Sequence, residues 1–301
     1  MPTYSGSDGA TLHYEDRPAT AGDDRLPGAG NDDGHHHLGT PIIVLAGGAA
    51  LHPDYLGDLA GLGGSHHLIV PHLRGVGSTP LPTDAEVASY WRQAEDIERL
   101  RTHLGLDRVL LLGHSAGTRL AIAYAARFPD RVGGLVLVTP PAAYLVDEPA
   151  DTQPMIDRRR GEPAFDDAVA ARDAGPEVLD DAGFNAWQQR TSPLAYASWG
   201  DAEQAHASAF RYSFAAARAY FSVDPPSDLA AHLAAVTAPV LVIAGAADCS
   251  VGVAPVRALA TLFPAADTVV IDKCGHFPWV ELPAPFRAAV DAFLDALPRL
   301  S

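Results

Sequence analysis

Short runs of β-branched residues and leucine recur along the chain without strict alternation: Ile42–Leu45, His67–Val70, Val109–Leu112, Leu135–Val138, Val240–Ile243 and Thr268–Ile271. A strand reads this way when both of its faces are buried, so the runs predict a mostly parallel sheet covered by helices on both faces. Between the second and third runs, Thr83 with Glu86 predicts a capping box, and Tyr90, Ala94, Ile97 and Leu104 follow near helical spacing. Phe286, Val290, Phe293 and Leu297 mark a last amphipathic helix. At the other end, Tyr4–Glu15 predicts two short strands turning at Ser7-Asp8-Gly9, because Asp-Gly supplies the positive φ of a tight hairpin.

The strand rhythm stops between about Ala143 and Pro226, where aromatic residues sit in Ala-rich, helix-forming sequence. Lodged between two core strands, this stretch predicts a helical cap projecting from the strand ends. The expected organisation is a core over 1–144 and 227–301 with the cap at 145–226. A Gly-, Asp- and Pro-rich segment over about 17–39 has too little apolar surface to offset its ordering entropy and is expected to be a mobile surface insertion. Its His35-His36-His37 could bind a metal, but adjacent histidines in such a loop are ordinarily solvated.

Charge narrows the function. Lys+Arg 21 against Asp+Glu 37 gives −16, a field that repels phosphate backbones and anionic membrane surfaces. No nucleic-acid or membrane partner is expected. Met1–Gly6 lacks the basic and apolar segments of a secretory signal, and a cytoplasmic location is expected. The two cysteines, Cys249 and Cys274, exclude a multi-disulfide scaffold; they are expected to be inert thiols, although a bridge forms if their strands are neighbours and the sulfurs meet. Nothing in the sequence calls for a metal, nucleotide or flavin cofactor, and oligomeric state is not legible.

Gly113-His114-Ser115-Ala116-Gly117 is a G-x-S-x-G that directly follows the Val109–Leu112 run and precedes Leu120, Tyr124 and Phe128 at helical spacing. Strand, sharp turn and helix are the setting in which a serine hydroxyl is pushed out of the backbone, so Ser115 is the candidate nucleophile. A serine needs a base, and the base needs a group to orient it. Val240–Ile243 runs into Gly245-Ala246-Ala247-Asp248, and Thr268–Ile271 into Cys274-Gly275-His276. Asp248 and His276 thus fall just past strand ends, in the chain order Ser, Asp, His. Asp272 is a rival acid by proximity alone, and His114 reads as a structural residue of the turn.

On these residues, with Ala46-Gly47-Gly48, Arg74-Gly75-Val76-Gly77-Ser78 and Glu281, the chain resembles the α/β-hydrolases and, among them, the proline iminopeptidase-like group. The likeness covers the core and is loose in the cap. It implies Ser115 as nucleophile, His276 as general acid/base, Asp248 as its orienting carboxylate, and an oxyanion hole from the backbone N–H groups of Ala116 and Gly48. It implies a small-molecule or short peptide substrate cleaved through an acyl-enzyme, with amidase, esterase or thioesterase, and lyase or cyclase action all open; a ligand-binding protein that no longer turns over is a further alternative. Ala46-Gly47-Gly48-Ala49 stands where the group usually has His-Gly-Gly-Pro, and Pro71-His72-Leu73 precedes Arg74 where an acidic residue is common. An iminopeptidase must also hold a free amine, for which Asp181, Asp201, Glu203 and Glu281 are the candidate carboxylates, but on a chain with 37 acidic residues each is ordinarily a solvated charge, and Glu281 reads as a loop brace.

Overall fold

The computed structural model describes residues 1–20 and 40–298. Eight strands, β1 (Thr3–Ser5), β2 (Thr11–Arg17), β3 (Ile42–Leu45), β4 (Leu68–Pro71), β5 (Val109–His114), β6 (Val132–Val138), β7 (Val240–Gly245) and β8 (Ala266–Ile271), form one sheet in the order β1-β2-β4-β3-β5-β6-β7-β8. The β1–β2 and β2–β4 pairs are antiparallel and the others parallel. Successive residues of the central strands feed opposite faces, as the pleat requires. Ile43, Leu45, Leu111, Leu135 and Val242 pack with helices α1 (Tyr90–His103) and α2 (Ala116–Arg127). Ile42, Val44, Leu112, Val136 and Ile243 pack with Phe286 and Val290 of the C-terminal helix, Pro283–Ala296. This is the α/β-hydrolase fold. Between β6 and β7 the described chain forms helices and no strand of the sheet, among them α3 (Pro163–Ala174) and α4 (Asp181–Thr191).

Three expectations change. Burial on both faces fails for β8, where Asp267 and Thr268 are exposed, because the strand closes the edge of the sheet. No capping box joins Thr83 and Glu86. Instead, the Asp84 carboxylate accepts the Glu86 N–H at 3.0 Å in a short 3-10 turn, and Ser89 caps α1 by accepting from Arg92 N–H at 3.3 Å. An aspartate one residue nearer to Glu86 closes a local turn before the helix can begin. Arg17 does not open an insertion but ends β2 in register with Leu68, and Thr20 N–H donates to the Gly64 carbonyl at 3.1 Å. The rest of that segment, with His35–His37, lies outside the described residues.

The hairpin is tied to the core through Arg74. Its guanidinium donates to both Asp96 oxygens at 2.7 and 2.9 Å and both Asp8 oxygens at 3.0 and 2.8 Å, while Ser7 N–H reaches Asp96 Oδ1 at 2.8 Å. Arg74 and Asp96 are almost fully buried and Asp8 is about a third exposed. Removing the cation leaves the Asp96 charge buried and uncompensated, whereas Asp8 can rehydrate. Arg74→Met is therefore expected to cost about 3–5 kcal/mol in urea unfolding, against about 1 kcal/mol for Asp8→Asn. Equal losses for the two variants would contradict the network as described.

Candidate active site

β5 and α2 meet at Ser115, whose φ of 49° and ψ of −123° lie where a residue with a Cβ is strained. The turn is over-determined. Ser115 N–H continues the sheet ladder to the Val138 carbonyl at 2.9 Å, and the Ser115 carbonyl accepts from the Thr118 N–H at 2.9 Å and hydroxyl at 2.6 Å. Gly117 makes the tight crossing possible, since a Cβ there would overlap the Leu45 and Ala46 carbonyl oxygens. Ala116 is the first residue of α2, and its N–H has no acceptor among the described residues.

The loop after β3 carries Gly48, Ala49 and Ala50 in succession at φ values of 67°, 46° and 78°. Gly47 N–H is occupied, donating to the Tyr55 hydroxyl at 2.6 Å. Gly48 N–H has no acceptor among the described residues, and Gly48 shares the wall of one cavity with Ser115.

Asp248 and His276 are brought together from adjacent strand ends. A Cβ at Gly245 would collide with the Gly275 and Cys274 carbonyls, so glycine at the end of β7 lets the histidine loop lie against the aspartate loop. Asp248 is fully buried. Its Oδ2 contacts His276 Nδ1 at 2.6 Å, and its Oδ1 accepts from Ser250 N–H at 2.8 Å and Val251 N–H at 3.3 Å. A carboxylate accepting at Nδ1 fixes the proton there and leaves Nε2 as the basic nitrogen. His276 and Ser115 line the same cavity of about 420 Å³. No hydrogen bond joins the serine hydroxyl to the imidazole in this structure; such contacts commonly tighten only when substrate binds.

His114 does more than fill the turn. It is buried, and desolvation first, then the neighbouring His276, drives its pKa well below the usual histidine range, so it is neutral. Its Nε2 donates to the His276 carbonyl at 3.1 Å, and that carbonyl also accepts from the Thr139 hydroxyl at 3.0 Å. Its Nδ1 therefore accepts, from the Tyr55 hydroxyl at 2.8 Å. A single chain of donors runs Gly47 N–H, Tyr55 O–H, His114 N–H to the His276 backbone, joining the glycine loop to the histidine loop. Tyr55 carries no motif of its own, and only its position after the Gly47-Gly48 loop could have pointed to it.

The four candidate carboxylates lie away from the cavity wall. Asp181 accepts from Phe214 N–H at 2.7 Å, Glu203 from Gly200 N–H at 2.8 Å, and Asp201 is exposed at a helix start. Glu281 is a brace: its two oxygens accept from Gly275 N–H at 3.0 Å and Ala197 N–H at 2.7 Å, clamping the histidine loop to the helical segment. These carboxylates are spent on backbone donors or solvent, and none lines the cavity. Asp272 is exposed. Cys249 and Cys274 are free, buried thiols; they sit in different apolar clusters, and burial pushes Cys249 up to about 11. Among the described residues no helix is long and apolar enough to cross a membrane, and no group of three or more His, Cys, Asp or Glu side chains could hold a metal ion.

Burial raises Glu281 from 4.5 to about 7, against the backbone donors that lower it. Between those values the folded state keeps a proton that the unfolded chain has released, so this residue's contribution to stability falls as pH rises. Relative to Glu281→Gln, the wild type is expected to lose about 2 kcal/mol of unfolding free energy from pH 5 to pH 8. A difference between the two that does not change with pH would contradict this.

An α/β-hydrolase fold family model matches residues 40–162. A proline iminopeptidase of Heyndrickxia coagulans is 26% identical over 272 residues, 86% of this chain and 92% of that one. Among solved structures, an esterase from Rhodococcus sp. ECU1013 superposes with a TM-score of 0.73 at 21% identity, over 99% of both chains. A proline iminopeptidase of Mycobacterium smegmatis superposes with a TM-score of 0.69 at 20% identity, over 98% of this chain and 97% of that one.

Proposed function

We propose that this chain, which has the α/β-hydrolase fold and a sequence similar to a proline iminopeptidase, is a serine hydrolase of carboxylic esters. The observation that carries this is the meeting of a strained, half-buried serine and an aspartate-braced imidazole on one cavity whose wall, among the described residues, holds no carboxylate. Ser115 Oγ attacks the ester carbonyl carbon while His276 Nε2 takes its proton. The carbonyl oxygen, now an anion, is received by the N–H groups of Ala116 and Gly48, the donors left free by helix geometry and by the engagement of Gly47 with Tyr55. His276 returns the proton to the leaving alkoxide, the acyl group stays on Ser115, and water activated by the same nitrogen releases the acid. Asp248 holds the tautomer and stabilises the imidazolium. The helical segment between β6 and β7 serves as the cap.

The iminopeptidase-like relatives favour amide cleavage beside a free amine. A cationic amine in a closed site needs an anionic or strongly accepting partner, and the carboxylates that could supply one are engaged elsewhere. Short aryl esters and a prolyl anilide, assayed with the wild type and Ser115→Ala, separate the two. Ser115-dependent ester turnover without anilide turnover is expected; Ser115-dependent hydrolysis of the prolyl anilide would overturn the ester assignment.

A further inference from the structure

The net charge of the chain is −16, yet its cavity wall carries an arginine. The chain holds 37 Asp and Glu residues, yet among the described residues none lines the cavity, whereas Arg172 does. Arg172 lies in the last turn of α3, where a cation also suits the helix dipole, but that role does not require it to face the cavity. Trp187 Nε1 of α4 donates to the Ala171 carbonyl at 2.8 Å, holding the backbone beside Arg172 against α4. The guanidinium gives Nε and Nη2 to Asp173 Oδ1 at 2.9 and 2.8 Å. That pair is solvent-exposed, with the Asp173 side chain 61% accessible, and such pairs hold weakly. Nη1 has no protein acceptor among the described residues.

Thr152, Gln188 and Ser250 line the cavity too, and their side chains make no hydrogen bond among the described residues. Asp151 ties this polar side together by accepting from Val253 and Ala254 N–H at 2.8 and 3.1 Å, so Thr152 lies beside the loop that carries Ser250. Leu51, Phe210, Tyr212 and Phe277 form the apolar side, with Phe210 within 6.2 Å of Tyr212 and 5.5 Å of Phe277. Ser115 and His276 share the cavity with both.

We propose that Arg172 is an anion-recognition residue of this cavity and that the substrate is an ester carrying a carboxylate several bonds from the reacting carbonyl. The free Nη1 edge and the unengaged hydroxyl and amide donors suit carboxylate oxygens, and the apolar side takes the hydrocarbon remainder. This rests on ester hydrolysis at Ser115.

The test is a matched series of aryl esters: a neutral butyrate, a dicarboxylate half-ester with its anion on the acyl side, an acetate of a carboxylated phenol with its anion on the leaving side, and a trimethylammonio-acyl ester. One anionic arm should exceed the neutral ester in kcat/KM, the cationic ester should fall below it, and the preferred arm assigns the side. Arg172→Gln should lower the anionic-to-neutral ratio by about 10–100-fold, and Arg172→Lys, which keeps the charge without the planar fork, by less. Melting temperatures of both variants establish that they fold. An unchanged ratio in both variants, or a wild type that prefers the cationic ester, overturns the role of Arg172 while leaving ester hydrolysis standing. Absence of Ser115-dependent turnover of every ester overturns the hydrolase assignment beneath it.

Discussion

Ser115→Ala is expected to lower kcat/KM for an aryl ester by about 10⁵–10⁶-fold, His276→Ala by a similar factor, and the double variant by no more than either alone. The alcohol and the imidazole act as one unit: without the base the hydroxyl is too weakly acidic to attack, and without the hydroxyl the base has nothing to activate. What survives is stabilisation by the Ala116 and Gly48 N–H groups, together with substrate binding. Alanine keeps the same backbone demand at φ 49°, so the fold and the cavity remain. Losses that multiply in the double variant would mean that Ser115 and His276 act independently.

The second large effect belongs to Asp248→Asn, for which a fall in kcat of about 10⁴-fold is expected with little change in melting temperature. Asparagine can keep the acceptor for Ser250 and Val251 N–H at Oδ1, so the loop holds its shape. The amide that replaces Oδ2, 2.6 Å from His276 Nδ1, is a donor, and it moves the imidazole proton to Nε2. The basic nitrogen then points away from Ser115. Retention of more than about a tenth of the activity would show that the carboxylate is not orienting the base.

Much of this site is legible in the sequence because its chemistry depends on local backbone geometry. Gly113–Gly117 announces the turn, since only small neighbours fit where a Gly117 Cβ would meet the Leu45 and Ala46 carbonyls. Asp248 and His276 announce themselves by following β-branched runs, and the order of the strands then decides that the two loops touch. What the sequence hides is decided by distant packing. Tyr55 and His114 look like an ordinary aromatic residue and a turn filler until the sheet places Tyr55 between Gly47 and His114. Arg172 looks like a last-turn helix cation until the packing of α3 on α4 brings it to the cavity wall. Asp181 and Glu203 are candidates by charge alone, and the fold gives each a backbone N–H that the sequence does not show. The Thr83–Glu86 pattern fails for a local reason, a competing aspartate one residue on.

The most direct measurement is covalent labelling with a fluorophosphonate, read by intact mass and peptide mapping. Ser115 Oγ forms a bond to phosphorus, fluoride leaves, and His276 receives the hydroxyl proton. The account predicts one label per chain on Ser115 in the wild type, none in Ser115→Ala, and labelling slowed by orders of magnitude in His276→Ala. A wild type that does not react, or a Ser115→Ala variant that reacts equally, would contradict an activated nucleophile at this turn.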